Sequence, residues 1–491
     1  MRRRRKASAT RPLLLGLACC LPVLTWGAAS PALAATATEP TAPGSPAAAT
    51  GAAQRPAEVT LPPRSEGPRW GVTMAPVGLS LEYPLMAQDL GAGPCPPPAL
   101  VAELQRLGSP PLALSGISQD LTAPPGVLPN PAPSWEVATL YPLPPPFWSQ
   151  LHCLLAATKD PLDVGLNMHT GSPTWAAAMV AGARTAATNG LEFSLGNEPD
   201  LYFYPNYASL AKGLPGHETK AANLYLQLAG ALEPTLGGAP VIGPELAISA
   251  LWRRQLPRVI AAVHDRTVGV HLYPLSACEG PGAVTIPKLL APAAANAPQS
   301  LQWVVADAAA AGAPAILSEA NSASCGGQEG VSNTPAAAVW AVRYVLAALK
   351  TGFREVRFHF SNGAYDPFVM RGGQVYPRPL ESALVALNRW LPLGATLTTV
   401  PGVRGLVATA IAVPATPATA TAPAKPATWE LILDNETAKP RTVMLRGAQG
   451  LSVESLSAVR AGMQVGQAGA SGGRLKLVVA GNSVATVLPA G

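Results

Sequence analysis

The sequence predicts an α/β chain, with a (β/α)8 TIM barrel over residues 69–392 and a smaller C-terminal antiparallel β-sandwich over 393–491. Three observations predict it. Through the first region, short apolar runs alternate with Ala-rich, helix-like segments, the pattern of a parallel sheet with helical crossovers. Eight such runs occur, which matches the strand number of the barrel. Past Trp390-Leu391-Pro392 the helical period disappears and apolar residues alternate at a period of two. A doubly wound open sheet is the alternative for the first region, but no Gly-rich phosphate loop follows the first run.

From the N-terminus, residues 1–34 read as an export signal. Arg2, Arg3, Arg4, Arg5, Lys6 and Arg11 are basic, 12–29 are mostly apolar, and Ala32-Leu33-Ala34 supplies the small residues that a signal peptidase reads. A membrane anchor is the alternative. Pro22, however, interrupts an apolar stretch that would need about 20 residues to span a bilayer. Cleavage near Ala34 is expected, giving a secreted or periplasmic protein with no integral membrane segment. Residues 35–68 are rich in Ala, Thr, Pro and Gly and are expected to be a disordered linker. The eight strands are expected at 77–81, 112–117, 162–168, 191–195, 241–243, 268–272, 315–317 and 356–360. Helices are expected at 99–107, 175–188, 220–232, 251–264, 301–311 and 334–350. Sandwich strands are expected at 406–413, 428–433, 441–445, 475–479 and 484–488, with the low-complexity stretch 414–427 as a hairpin loop.

The composition narrows the function classes. With 48% hydrophobic and 13% charged residues, the chain is not disordered throughout. The formal charge of +6 equals the six cations before residue 12, and the first acid is Glu39. The rest is balanced, so no nucleic-acid partner is expected. No Cys or His pair shows metal-ligand spacing, and no cofactor or metal site is expected.

Barrel enzymes place their chemistry at the C-terminal ends of strands. Gly196-Asn197-Glu198-Pro199-Asp200 follows the fourth run and Ser318-Glu319-Ala320-Asn321-Ser322 the seventh. These two carboxylates would face each other across the barrel mouth. Glycoside hydrolysis needs such a pair, one to protonate the leaving oxygen and one to attack or to activate water. A strand-end Glu is often merely solvated. The pair, with Asn before the first, favours the catalytic reading.

These residues resemble clan A retaining glycoside hydrolases. More narrowly, Leu195-Gly196-Asn197-Glu198-Pro199-Asp200 and Glu319-Ala320-Asn321-Ser322-Ala323 resemble glycoside hydrolase family 79, the β-glucuronidases and heparanases. Val270-His271-Leu272-Tyr273-Pro274, Phe358-His359-Phe360 with Ala364-Tyr365-Asp366-Pro367, and Gly116 with Ser118-Gln119-Asp120 extend the likeness over about residues 70–395. The resemblance implies a carbohydrate partner and a β-glucuronidase-like double displacement. Glu198 would be the acid/base and Glu319 the nucleophile. Asn197 would meet the sugar 2-hydroxyl and Tyr273 would orient the nucleophile. Glu198 must carry a proton, which partial burial or a nearby negative charge favours.

The resemblance further places Ser324, Gly326 and Tyr365 at the sugar carboxylate and Asp120 among the substrate-binding residues. Ser324-Cys325-Gly326-Gly327 stands where the family has Tyr-Gly-Gly, Ala113 where it has Arg, and Ile117 where it has Asn. These departures keep a clan A exo-β-glycosidase for another sugar as an alternative. A non-catalytic carbohydrate-binding barrel is a further alternative, but it would not need the carboxylate pair. Cys19 and Cys20 leave with the signal. Cys95, Cys153, Cys278 and Cys325 remain, allowing three pairings. Cys278 lies just beyond the sixth strand and Cys325 just beyond the seventh. A Cys278–Cys325 disulfide is therefore expected, leaving Cys95–Cys153.

Overall fold

The computed structural model describes residues 56–489, apart from 64–66, 127–140, 204–215, 248, 264–265, 402, 404, 418–423, 448–450 and 469–471. The expected signal 1–34 and most of the expected linker lie outside the described residues. Eight parallel strands close into a barrel in sequence order: β1 (Val77–Glu82), β2 (Leu112–Ser115), β3 (Leu162–Leu166), β4 (Leu191–Leu195), β5 (Val241–Leu246), β6 (Arg266–Leu272), β7 (Ala315–Ala320) and β8 (Val356–Phe360).

Strand ends differ from expectation where the chemistry begins. The fifth and seventh strands run three residues further than their apolar cores and take in Glu245 and Glu319, both buried. Polar side chains turned into the barrel mouth break the apolar run before the strand ends. The second strand stops early because Gly116 takes φ +74 and starts the short turn Ile117–Leu121. A Cβ there would also press on Glu82 and His359. The helices Tyr83–Leu90, Phe147–Thr158 and Pro379–Trp390 were not expected. Two of them carry Pro in the first turn, where it is tolerated but reads as a breaker in sequence.

A seven-stranded sheet runs Arg69–Gly71, Thr396–Thr399, Val407–Val413, Thr428–Asn435, Ser483–Pro489, Leu451–Ser457 and Arg460–Ala468, so residues 69–71, expected to open the barrel, pair with the sandwich instead. A three-stranded sheet of Ala57–Thr60, Arg441–Arg446 and Arg474–Val479 faces it. One correction concerns the linker. Ala57–Thr60, inside the stretch expected to be disordered, pairs in parallel with Arg441–Arg446. Val59 and Leu61 there are buried. Their spacing of two is too brief to stand out beside the Pro/Ala-rich segment, and the pairing partner lies far away in sequence.

The alternation of Thr428–Asn435 shows how the units join. Leu431 and Leu433 fill the core between the two sheets, while Ile432 belongs to the core shared with the barrel. The barrel helix Pro335–Thr351 packs there, and its Arg343 donates to both oxygens of Asp434 at 2.8–3.1 Å, with both residues buried.

Low in the barrel, buried Arg357 near the start of β8 meets Asp163 of β3 at 2.5 Å, Glu192 of β4 at 2.6 Å and Glu355 at 3.0 Å. This cluster sits at the N-terminal ends of the strands, where a barrel is organised for stability.

Candidate active site

Glu319 is the fifth residue of β7 and points into the barrel mouth, 8% exposed. Glu198 directly follows the end of β4 by way of Gly196-Asn197. Its backbone is left-handed, at φ 50 and ψ 52, which turns its side chain at the strand edge and stores strain that a non-Gly residue rarely carries. Carboxylate oxygens of Glu198 and Glu319 and a ring nitrogen of His271 all lie within 4.8 Å of one another.

His271 is the register partner of Glu319 on β6. Its Nδ1 is 3.0 Å from Glu198 Oε1 and 3.8 Å from Glu319 Oε2. Tyr273, two residues on and on the same side of the chain, donates its hydroxyl to Glu319 Oε1 at 2.7 Å. On the opposite flank His359 Nδ1 lies 3.5 Å from Glu319 Oε2. Burial alone would push the Glu319 carboxyl up. The charges of His359 and His271 and the Tyr273 hydrogen bond outweigh it and hold the group below its ordinary value. Burial would likewise lower His271. Glu319 and the hydrogen bond to Glu198 instead raise it to about 10. Glu198 thus has an imidazole as its hydrogen-bond partner, with the Glu319 carboxylate within 4.8 Å.

Asn197 donates its backbone N–H to Asp120 at 2.9 Å. Its side-chain Oδ1 is buried and accepts no hydrogen bond from any described residue. Asp120, expected among the substrate-binding residues, lies buried beside this turn. It is 2% exposed, and its two oxygens accept from Met168 N–H, Asn197 N–H and the Tyr202 hydroxyl at 2.8–2.9 Å. It holds the Asn197-Glu198 turn in place.

The loop after β7 carries Ser324 and Gly326. Ser324 N–H donates to Leu275 O at 3.0 Å, tying this loop to the one after β6. The Cys278–Cys325 disulfide joins the same two loops, and Cys95–Cys153 is the second bridge. Cys325, Gly326 and Gly327 are successive left-handed residues. Their turn lies against the loop after β8: Ala364 N–H donates to Gly326 O at 2.6 Å, and a Cβ on Gly363 would collide with Gly326. Tyr365 stacks on Tyr273 with ring centres 6.3 Å apart. Ser324 is 7% exposed and Tyr365 2%.

The functional neighbours that the sequence reading left without a role are His271, Glu82, Glu245 and, beside the nucleophile, His359. The signal for His271 was its spacing of two from Tyr273. His359, quoted above only as part of the resemblance, lies against the nucleophile candidate.

No family model matches the chain, and no curated protein matches it. Solved structures do. A 4-O-α-L-rhamnosyl-β-D-glucuronidase from Fusarium oxysporum 12S shares 20% identity at a TM-score of 0.63, over 88% of this chain and 100% of that one. A GH51 arabinofuranosidase from Xanthomonas axonopodis pv. citri shares 11% at 0.58, over 88% and 98%. The catalytic domain of GH30 xylanase C from Talaromyces cellulolyticus shares 12% at 0.52, over 88% and 99%. This chain has the fold of these clan A glycoside hydrolases.

Proposed function

We propose that the protein is a retaining β-glycoside hydrolase related to family 79, acting on β-glucuronides. One observation carries this reading: the oxygens of Glu198 and Glu319, at the ends of β4 and β7, approach within 4.8 Å. Retaining enzymes hold their carboxyls about 5–5.5 Å apart, whereas inverting enzymes need about 6.5–9.5 Å to admit a water. Glu319, ionised between two imidazoles, attacks the anomeric carbon while Glu198 protonates the leaving oxygen. Water then hydrolyses the glycosyl ester, with Glu198 as base. His271 bridges the two carboxylates and relays the change in charge from one to the other. The unengaged Asn197 Oδ1 suits a sugar 2-hydroxyl as donor.

Glucuronide preference rests on the placement of Ser324, Gly326 and Tyr365 in one loop cluster beside Tyr273. The glucuronidase among the structural neighbours supports the same choice. A neutral sugar is the second reading. It is favoured by Ser324, whose short side chain supplies one hydroxyl and no ring. Both disulfides support export to an oxidising compartment. No helix of the described residues is long and apolar enough to cross a membrane.

The test is a panel of aryl β-glycosides: glucuronide, glucoside, galactoside and xyloside. Hydrolysis of the glucuronide alone is expected, and cleavage of a neutral sugar instead would move the specificity. A second expected outcome separates the two carboxylates. Glu198→Ala loses about 10²–10⁴ in kcat/KM on substrates with poor leaving groups, the usual worth of general acid catalysis. It loses far less on dinitrophenyl glycosides, which need no acid. Equal losses on both would remove Glu198 from the acid role.

A further inference from the structure

We propose that Glu82 and His359 form a positioning pair for Glu319, a carboxylate–imidazole couple that keeps the nucleophile ionised from the side opposite His271. The proposal rests on Glu319 being the nucleophile. The geometry is a ladder of alternating charge across the barrel mouth. His271 of β6 stands between Glu198 and Glu319, and His359 of β8 stands between Glu319 and Glu82 of β1. His359 Nδ1 is 3.5 Å from Glu319 Oε2, and its Nε2 is 3.5 Å from Glu82 Oε1.

The ring is held in place from below. Ser80 is the register partner of His359, and its Oγ lies 3.0 Å from Nδ1 and 2.6 Å from the Ser115 hydroxyl. Glu82 is held in turn by Ser118 N–H, which donates to its Oε2 at 2.8 Å. His359 is 4% exposed, so a charged ring there needs compensation from both sides. The remaining ionisable groups around Glu319 are Tyr273, Tyr365 and Glu245, and Asp366 also acts on His359. Burial would make the His359 ring neutral; Glu319 and Glu82 together reverse that and raise its pKa. A single imidazole shared by both carboxylates would tie the nucleophile's charge to the protonation of Glu198. The second pair lets His271 follow Glu198 while His359 keeps Glu319 ionised.

The experiment is a ¹³C NMR titration of the full chain labelled at glutamate carboxyls, with Glu319 assigned by its loss in Glu319→Gln. In His359→Gln the Glu319 midpoint is expected to rise by about one to two pH units, the usual effect of losing an opposite charge at this distance. Glu82→Gln should raise it by less. The double variant should rise no further than His359→Gln alone, because the two act as one unit. On a cleaved glycoside, the acid limb of kcat/KM should move by the same amount. An unmoved midpoint, or additive shifts, overturns the proposal, as does a loss of rate that is equal at every pH. If His359→Gln does not fold, the Glu82→Gln midpoint decides by the same criterion. The titration needs no substrate, so it stands apart from the hydrolase reading, which Glu319→Ala on the glycoside panel tests.

Discussion

Glu319→Ala is expected to lower kcat by about 10⁵–10⁶, the scale seen when a covalent nucleophile is removed from its catalytic unit. No other side chain can supply the missing bond. The site should survive otherwise. Glu319 is one residue from the end of β7, its backbone pairs remain, and a small side chain is tolerated at the mouth. Two consequences make the test specific. His271 loses the largest charge that raises it, so its pKa should fall from about 10 toward the ordinary imidazole range. Added azide should restore part of the turnover, entering where the carboxylate stood and yielding the α-glycosyl azide. Kinetics with an aryl glycoside, with and without azide, check both the loss and the rescue. A variant that keeps full activity would discard the nucleophile, and with it the double displacement.

The largest expected effect on stability lies at the other end of the barrel. Arg357→Met should destabilise the fold by about 3–5 kcal/mol, the cost of breaking a buried ion cluster by removing one partner. Two buried acids, Asp163 and Glu355, and the half-buried Glu192 would then lose the cation that joins them. With about 2.1 cal/mol/K of unfolding entropy per residue, the melting temperature should fall by roughly 3–6 °C.

The pH dependence has a definite sign. Burial already holds Asp163 and Glu355 above the ordinary carboxylate range, opposed by Arg357. A group raised in the folded state contributes stability below its unfolded pKa and loses it as pH rises through the folded value. Removing Arg357 raises both groups further. The deficit of the variant should therefore shrink in mildly acidic buffer, where the carboxyls take up protons, and be greatest at alkaline pH. Thermal melts of both proteins from pH 5 to 8 check this. A deficit that grows toward acid would contradict the role of the cluster. Asp163→Asn added to Arg357→Met should recover part of the loss.

The sequence by itself determined the barrel, the sandwich after it and the two strand-end carboxylates. Each rests on local pattern: apolar period, strand length, and which residue follows a strand. The 278–325 bridge followed from the same order, because loops after adjacent strands are neighbours. The tertiary structure decided what depends on partners far apart in the chain. His359 meets Ser80 across 279 residues, and Arg357 meets Asp163 across 194. No period or spacing encodes such a meeting. It arises only when barrel closure sets β8 beside β1 and brings β3 within reach of its side chains. Closure also decided the partners of Asp120: its position in a turn was legible, but Asn197 N–H and the Tyr202 hydroxyl reach its Oδ2 only once β2 and β4 end on the same rim. The strand Ala57–Thr60 was likewise decided by its distant partner, since four residues acquire a structure there only when Arg441–Arg446 offers an edge to pair with.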